Sequence, residues 1–391
     1  MAKEPDEVTT EELPSRQPVA PPTPSHPRFL FMLGEVRFEA VRILEVRTTG
    51  ETLMLAQRRV PGGTLTGPCL IRRLASPTTH MERRRLVEEV ELAFRLSHPA
   101  IAQVIHLEIE EEEDSPYVIM EYVAGSSLDT LVNATVIRGQ PLSQPFGLYV
   151  GAELADALHY AHTLVGDDGK PLGIIHRDVS PRHVWVGEHG EVKLLDFGAA
   201  FSLVVGREES PESLLRGDVA YCSPEYLHRQ ALTPRSDIFS LGVLLVEVLT
   251  GRHLFDVRDY SPTWEKESRL RLEAPPTLPL KQMEALMAGF GPDFVEKAVA
   301  PLPEDIKAVL HTALRANPQE RFATAADMRD ALRGAARAQR MAPYGREEVS
   351  KEASRVRSEG SELRDVVEFG EAGIYPQGLE AHELAALKKK E

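Results

Sequence analysis

Residues 176–187 read HRDVSPRHVWVG, and the chain then runs DFG from Asp196 to Gly198. The first stretch sets an imidazole, a guanidinium and a carboxylate in succession at His176, Arg177 and Asp178, and adds a second imidazole at His183. Carboxylates can take a proton from a hydroxyl or hold a hard cation, so Asp178 and Asp196 are the first candidates for chemistry. Magnesium prefers oxygen ligands, whereas imidazole nitrogen suits zinc and other transition metals. His183 therefore reads more readily as a packed or solvated ring than as a magnesium ligand.

The elements that must position these groups are legible from periodicity. HVWVGEHGEVKLL alternates about a GEHG turn, which predicts a small hairpin between the two motifs. Residues 146–164 carry apolar spacing near 3.6, and 237–251 run uninterrupted by charge except at Glu247; both predict long helices, the second buried and closed by Gly251. SLDTLVNATV predicts a further helix. Toward the N-terminus, 38–44, 52–60 and 68–74 are short apolar or β-branched runs between Gly, Thr and Pro, as three antiparallel strands require. An amphipathic helix over 81–97 follows, with Leu86, Val90, Ala93 and Phe94 on one face. IAQVIHLEIE and YVIMEYV read as two more strands around an acidic turn. Residues 252–303 hold several Pro and Gly breaks among helical fragments and predict an irregular region before a helix at PEDIKAVLHTALRA.

HRD and DFG flanking a hairpin, MEYV at 120–123, SPE at 223–225, Asp237 in a buried helix and Arg321 in NPQERF stand in one order along the chain. In that order they resemble the protein kinase family, in particular bacterial serine/threonine kinases carrying HRDVSP. The resemblance spans residues 34–337. It implies an α+β, bilobal fold with a small β-rich N-lobe over 34–124 and a larger helical C-lobe over 125–337. It also implies ATP and magnesium as cofactors and a protein hydroxyl as substrate. In this family Asp178 would orient and deprotonate that hydroxyl, and Asp196 would hold magnesium, with the position of His183 serving a second metal. The backbone of Glu121 and Val123 would meet the adenine edge, with Met120 behind it. Glu89 would orient a basic side chain at Arg72, and Glu225 and Arg321 would form a buried ion pair.

Four parts of the phosphate machinery depart from that pattern. Where the family lays a glycine-rich turn over the phosphates, EVRTTG retains only Gly50, adds Glu45 and stiffens the loop with Thr48 and Thr49. Arg72 replaces a lysine, exchanging a compact point charge for a planar fork. His183 replaces an asparagine. Ser180 replaces a lysine, and Asp218 puts an acid where the subgroup offers a base. Each lost clamp costs a few kcal/mol of transition-state stabilisation, and about 1.4 kcal/mol is tenfold in rate. Two readings follow: a pseudokinase that regulates or scaffolds, or an active or weakly active serine/threonine kinase. A small-molecule phosphotransferase explains less of the chain.

Composition suits a soluble, folded protein. The 391 residues are 42% hydrophobic and 27% charged, with 45 basic and 60 acidic side chains giving a net charge of −15. Such a balance, with no basic block beyond a terminal KKK, argues against nucleic acid as a partner; the kinase resemblance implies a protein partner or substrate, such as another kinase. Two distant cysteines, Cys69 and Cys222, imply neither disulfides nor zinc. The sequence holds no membrane-length apolar run and opens on an acidic, polar stretch, so a cytoplasmic location is expected. Residues 1–28, rich in proline and acids, and 338–391 are expected to be mostly disordered tails.

Overall fold

Alternating apolar residues in the first third of the chain produce strands because one face must be covered. The computed structural model describes residues 28–46, 51–74, 90–110, 115–197, 219–256 and 280–371. Two compact units divide the chain, one of residues 1–76 with 108–119 and one of residues 77–107 with 120–391. The fold is α+β, with a sheet-built first unit and a helical second unit.

Strands β1 (Arg28–Leu33), β2 (Val36–Val46), β3 (Thr52–Arg59), β4 (Leu65–Arg73), β5 (Val104–Glu110) and β6 (Ser115–Met120) form a sheet of order β1-β2-β3-β4-β6-β5. Its covered face follows the period of two: Phe38 and Ala40, Met54 and Ala56, Cys69 and Ile71, Tyr117 and Ile119 are all buried. Phe31 stacks on Phe38 at 4.9 Å and lies 5.0 Å from Tyr117. Strand β1 is an addition to the expected strands. Its sequence RFLFML exposes Phe29 and Met32 while burying Phe31, so apolar residues occupy both faces and erase the alternation that announces a strand. Gly34, at φ 57°, turns the chain from Leu33 straight into Val36.

The second unit holds a small sheet of β7 (Gly125–Ser127), β8 (Val184–Gly187) and β9 (Val192–Leu194), in which β8 and β9 are the hairpin expected about GEHG. Its helices are α1 (Leu128–Arg138), α2 (Gln144–Thr163), α3 (Pro224–Leu227), α4 (Pro234–Thr250), α5 (Leu280–Ala288), α6 (Pro292–Val299), α7 (Glu304–Ala313), α8 (Ala325–Ala338) and α9 (Arg346–Glu371). Of the helix expected over 81–97, residues 90–97 are described, and it is helical over 90–94 and ends there. Helix α4 is the centre of the core. Phe239, Leu241, Leu244 and Leu245 are fully buried on it, each stabilising by about 1.5–3 kcal/mol. It begins three residues before the predicted start because the Ser236 hydroxyl accepts from the Thr233 N–H at 3.2 Å and Pro234 suits its first turn; Gly251, left-handed at φ 69°, ends it. Gly147 and Gly151 let α2 press against α4, since a Cβ at either would stand 2.5 Å from Leu249 or 2.8 Å from Leu245.

The expectation of a mostly disordered tail over 338–391 is corrected across residues 346–371, which form α9. Its covered face is made of small or modest residues, Val349, Ala353, Val356 and Gly360, which give little hydropathy signal yet pack closely on α1. Residues 1–27 and 372–391 lie outside the described residues.

One buried ion pair ties α3 to the segment before α8. Arg321 grips Glu225 with two parallel bonds of 2.7 and 2.8 Å, and donates its remaining hydrogens to the carbonyls of Arg315, Arg235 and Ala316. Ser236 adds a bond of 2.7 Å to the same carboxylate, and the guanidinium sits 4.8 Å over the Phe239 ring. Burial opposes a charge on Glu225, but Arg321 and Ser236 overcome it and hold the carboxyl below its ordinary 4.5. Such a pair contributes stability above that value and loses it as pH falls through the depressed pKa. Replacing Arg321 with Met should cost about 3–5 kcal/mol at neutral pH by leaving a buried charge alone. Denaturant melts at several pH values check this: without Arg321, burial raises the Glu225 pKa, so the gap to the natural chain should begin to narrow above pH 4.5 and go on narrowing as pH falls further.

Candidate active site

The catalytic-loop candidates owe their geometry to a carboxylate that sequence reasoning placed only in a buried helix. Asp237, in the first turn of α4, is fully buried and accepts hydrogen bonds from the backbone N–H groups of His176 (2.8 Å) and Arg177 (2.9 Å). It also pairs with His162 Nε2 at 2.7 Å. Burial resists the charge on Asp237, but His162 and His176 outweigh it and keep the carboxyl below its usual range. Its two backbone bonds hold Arg177 in a left-handed conformation, φ 69°, of the kind that costs about 1–3 kcal/mol and persists only where the surroundings enforce it. His162, at the last turn of α2, went unremarked in the sequence; nothing local marks it, because its partner lies 75 residues away.

His176 fastens the two motif loops together. Its Nδ1 accepts from the Asp178 N–H at 3.2 Å, so its Nε2 carries the proton and donates to the Leu195 carbonyl at 3.0 Å. Burial depresses its pKa, which suits this neutral tautomer. The Phe197 ring meets it edge to face at 4.5 Å. Leu195 N–H in turn donates to the His183 carbonyl at 2.7 Å, and Asp196 follows in a left-handed conformation, φ 64°.

Those constraints bring Asp178, His183 and Asp196 together. His183 Nδ1 lies 2.9 Å from the Asp178 carbonyl and 3.4 Å from its carboxylate, while Nε2 lies 3.4 Å from the Asp196 carboxylate. All three side chains are about nine-tenths buried or more. Burial works against a charge on the ring, but the Asp178 side chain and carbonyl and the Asp196 charge outweigh it, and its pKa is pushed up to about 9 from 6.5. At neutral pH an imidazolium therefore bridges the two acids. Of the two readings of His183, a packed or a solvated ring, the buried placement matches the packed one. The donor set is also wrong for magnesium: a cationic nitrogen donor stands where an amide oxygen would, and both carboxylates are already turned to it. Among the described residues, no three His, Cys, Asp or Glu side chains are grouped so as to hold a metal ion.

The remaining candidates fall elsewhere. Glu121 donates its N–H to the Gln103 carbonyl at 2.9 Å, and its carboxylate accepts from Lys193 Nζ and Gln103 N–H at 3.0 and 3.1 Å. Lys193 was not anticipated; it faces Glu121 from β9, 72 residues on. Val123 is buried. Arg72 lies in the first unit, on β4 opposite Leu53. Gly50, Glu89, Asp218 and the serines between residues 199 and 216 lie outside the described residues.

Because His183 binds its proton more tightly folded than unfolded, its charge stabilises the fold fully below about pH 6.5 and that contribution is lost as pH rises through about 9. Unfolding measured across that window should show the natural chain losing up to about 3 kcal/mol more than His183→Asn.

The chain matches the protein kinase domain family over residues 71–332. It is 34% identical over 255 residues to the tyrosine-protein kinase MasK of Myxococcus xanthus, an alignment covering 63% of this chain and 34% of that protein. It is 32% identical over 250 residues to the serine/threonine-protein kinase PknK of Mycobacterium tuberculosis, covering 64% of this chain and 20% of that one. PknB of Mycobacterium leprae, a serine/threonine-protein kinase, is 30% identical over 257 residues, covering 65% and 35%. The chain thus spans about a third or less of the length of these relatives. The solved kinase domain of Mycobacterium tuberculosis PknI aligns with a TM-score of 0.49 at 22% identity, covering 76% of this chain and 96% of that domain. HRD and DFG flanking a hairpin, a buried aspartate that anchors the first of them, a buried Glu–Arg pair, and a family match across most of its length make this chain a member of the protein kinase family.

Proposed function

We propose that this protein is a pseudokinase: a protein-kinase fold kept for signalling, with phosphoryl transfer from ATP impaired, that regulates or scaffolds a protein partner such as another kinase. One observation carries the reading. The His183 imidazolium sits within 3.4 Å of both the Asp178 and Asp196 carboxylates, so the two acids that would accept a proton and hold magnesium already share a cation. Kinases generally use ATP with magnesium on protein hydroxyls, with two ions held by separate oxygen ligands. A fixed positive charge between those acids opposes a dication at the same place. The replacements at Ser180, Arg72 and the glycine-poor EVRTTG turn weaken the same machinery from other sides. Adenine recognition remains available through the backbone of Glu121 and Val123, since backbone groups do not depend on the lost side chains.

A second reading has its own support. Asp178 and Asp196 are both present, the Asp237 anchor is fully bonded, and relatives named as tyrosine and serine/threonine kinases align over this region. An active enzyme would transfer the γ-phosphate to a protein hydroxyl, with serine or threonine as the HRDVSP subgroup suggests.

Incorporation of labelled γ-phosphate from ATP, with magnesium or manganese and a generic protein substrate, separates the two. The pseudokinase reading expects no labelling above that of Asp178→Asn and Asp196→Asn. Brisk labelling by the natural chain that both substitutions abolish would overturn it.

A further inference from the structure

Helix α9 begins beyond the residues that match the kinase family, yet it is built into the second unit along a continuous seam. Val349 and Val356 are fully buried on it, and Glu352 and Ala353 nearly so. Their spacing of three and four residues makes one helical face. Gly360 brings the backbone so close to α1 that a Cβ there would stand 2.7 Å from the Ala134 side chain.

The polar contacts are specific. The Glu352 carboxylate accepts from the Ser143 N–H at 2.7 Å, the Ser143 hydroxyl at 2.6 Å and the Tyr344 hydroxyl at 2.6 Å. Ser143 is the N-cap of α2, so this carboxylate and the first turn of α2 share one residue. Burial first, and then the Glu352 charge, push the Tyr344 hydroxyl's pKa up and keep it a donor. Glu359 pairs at 2.6 Å with Arg138, whose side chain is only 8% exposed. Arg357 donates to the Ser126 hydroxyl on β7 at 3.2 Å. At the start of the helix, Ser350 bonds the Glu188 carbonyl in the β8–β9 turn, and Gly190 leaves room for the Arg346 carbonyl.

The elements so gripped converge on one place. β7 pairs with β8, Ser127 opposite Trp185, and β8 starts at Val184, directly after His183. From α1, Asp129 reaches toward Arg182 at 4.0 Å, beside His183 in the Pro181–His183 turn. We infer that α1, β7 and the β8–β9 turn form a docking face for one amphipathic helix, that α9 of this same chain is its occupant, and that this contact positions the turn carrying His183. The inference does not depend on whether the chain transfers phosphate: a strap of this kind would set the catalytic-loop turn in an active or an inactive kinase. Helix α9 is thus a positioning element, acting through β7, β8 and α1.

Hydrogen exchange on the full chain tests it, with Arg138→Glu, which sets two acids against each other, and the charge swap Arg138→Glu with Glu359→Arg. A positioning role expects roughly tenfold faster exchange in Arg138→Glu not only over residues 346–361 but also over 125–131 and 181–187, with the swap restoring all three. Unchanged exchange over 125–131 and 181–187 while 346–361 loosens would overturn it, because α9 would then be a passive cover. Glu352→Gln, which keeps the size of the side chain and weakens the Ser143 contacts, should show the same pattern in milder form. Should Arg138→Glu fail to fold, that milder variant decides: loosening confined to 346–361 rejects the inference.

Discussion

The local architecture of the site depends on one buried carboxylate. Asp237 has no exposed surface, and it satisfies two backbone N–H groups of the catalytic loop and one imidazole. An unpaired buried charge would be untenable, so the loop and His162 must stay where they are for the helix to remain folded. The left-handed backbone at Arg177 is carried by the same bonds. From this anchor His176 reaches Leu195, and through Leu195 the His183 carbonyl; the position of Asp196 beside His183 follows. The Glu225–Arg321 pair does comparable work at the same first turn of α4, where it also holds Ser236 and the Arg235 carbonyl, with all the guanidinium hydrogens engaged.

That rigidity explains why a single change of residue type matters. An asparagine at position 183 would be neutral and would present an oxygen. A histidine held at the same point between two carboxylates gains a proton and becomes the cation of the site. Repulsion between Asp178 and Asp196 is relieved from within the chain, and the need for an external cation falls. The anchors of the kinase scaffold, Asp237 and the Glu225–Arg321 pair, gather at the first turn of α4 and do not involve residue 183.

Much of this was legible in the sequence, and the reasons for the rest are physical. HRD and DFG could be read because each is a contiguous motif, and the hairpin between them because GEHG punctuates an alternating run. Helix α4 was legible from its continuous apolar composition. The Glu225–Arg321 pair was reached only through family resemblance, since 96 residues separate them. The bridging role of His183 was missed: it follows from the left-handed turn at Asp196, which no local pattern encodes. Strand β1 was hidden by apolar residues on both faces, and α9 by a contact face of small side chains whose partner, α1, lies some two hundred residues earlier. Long-range polar pairs and small-residue contacts leave little trace in periodicity.

The account stands on the claim that His183 supplies the charge that magnesium supplies in a working kinase. Calorimetric titration of ATP with and without magnesium, on the natural chain and on His183→Asn, addresses it directly. The account predicts that magnesium leaves the natural chain's affinity for ATP essentially unchanged and strengthens it roughly tenfold or more once the imidazolium is removed. A natural chain whose ATP affinity rises steeply with magnesium, unaltered by His183→Asn, would contradict it.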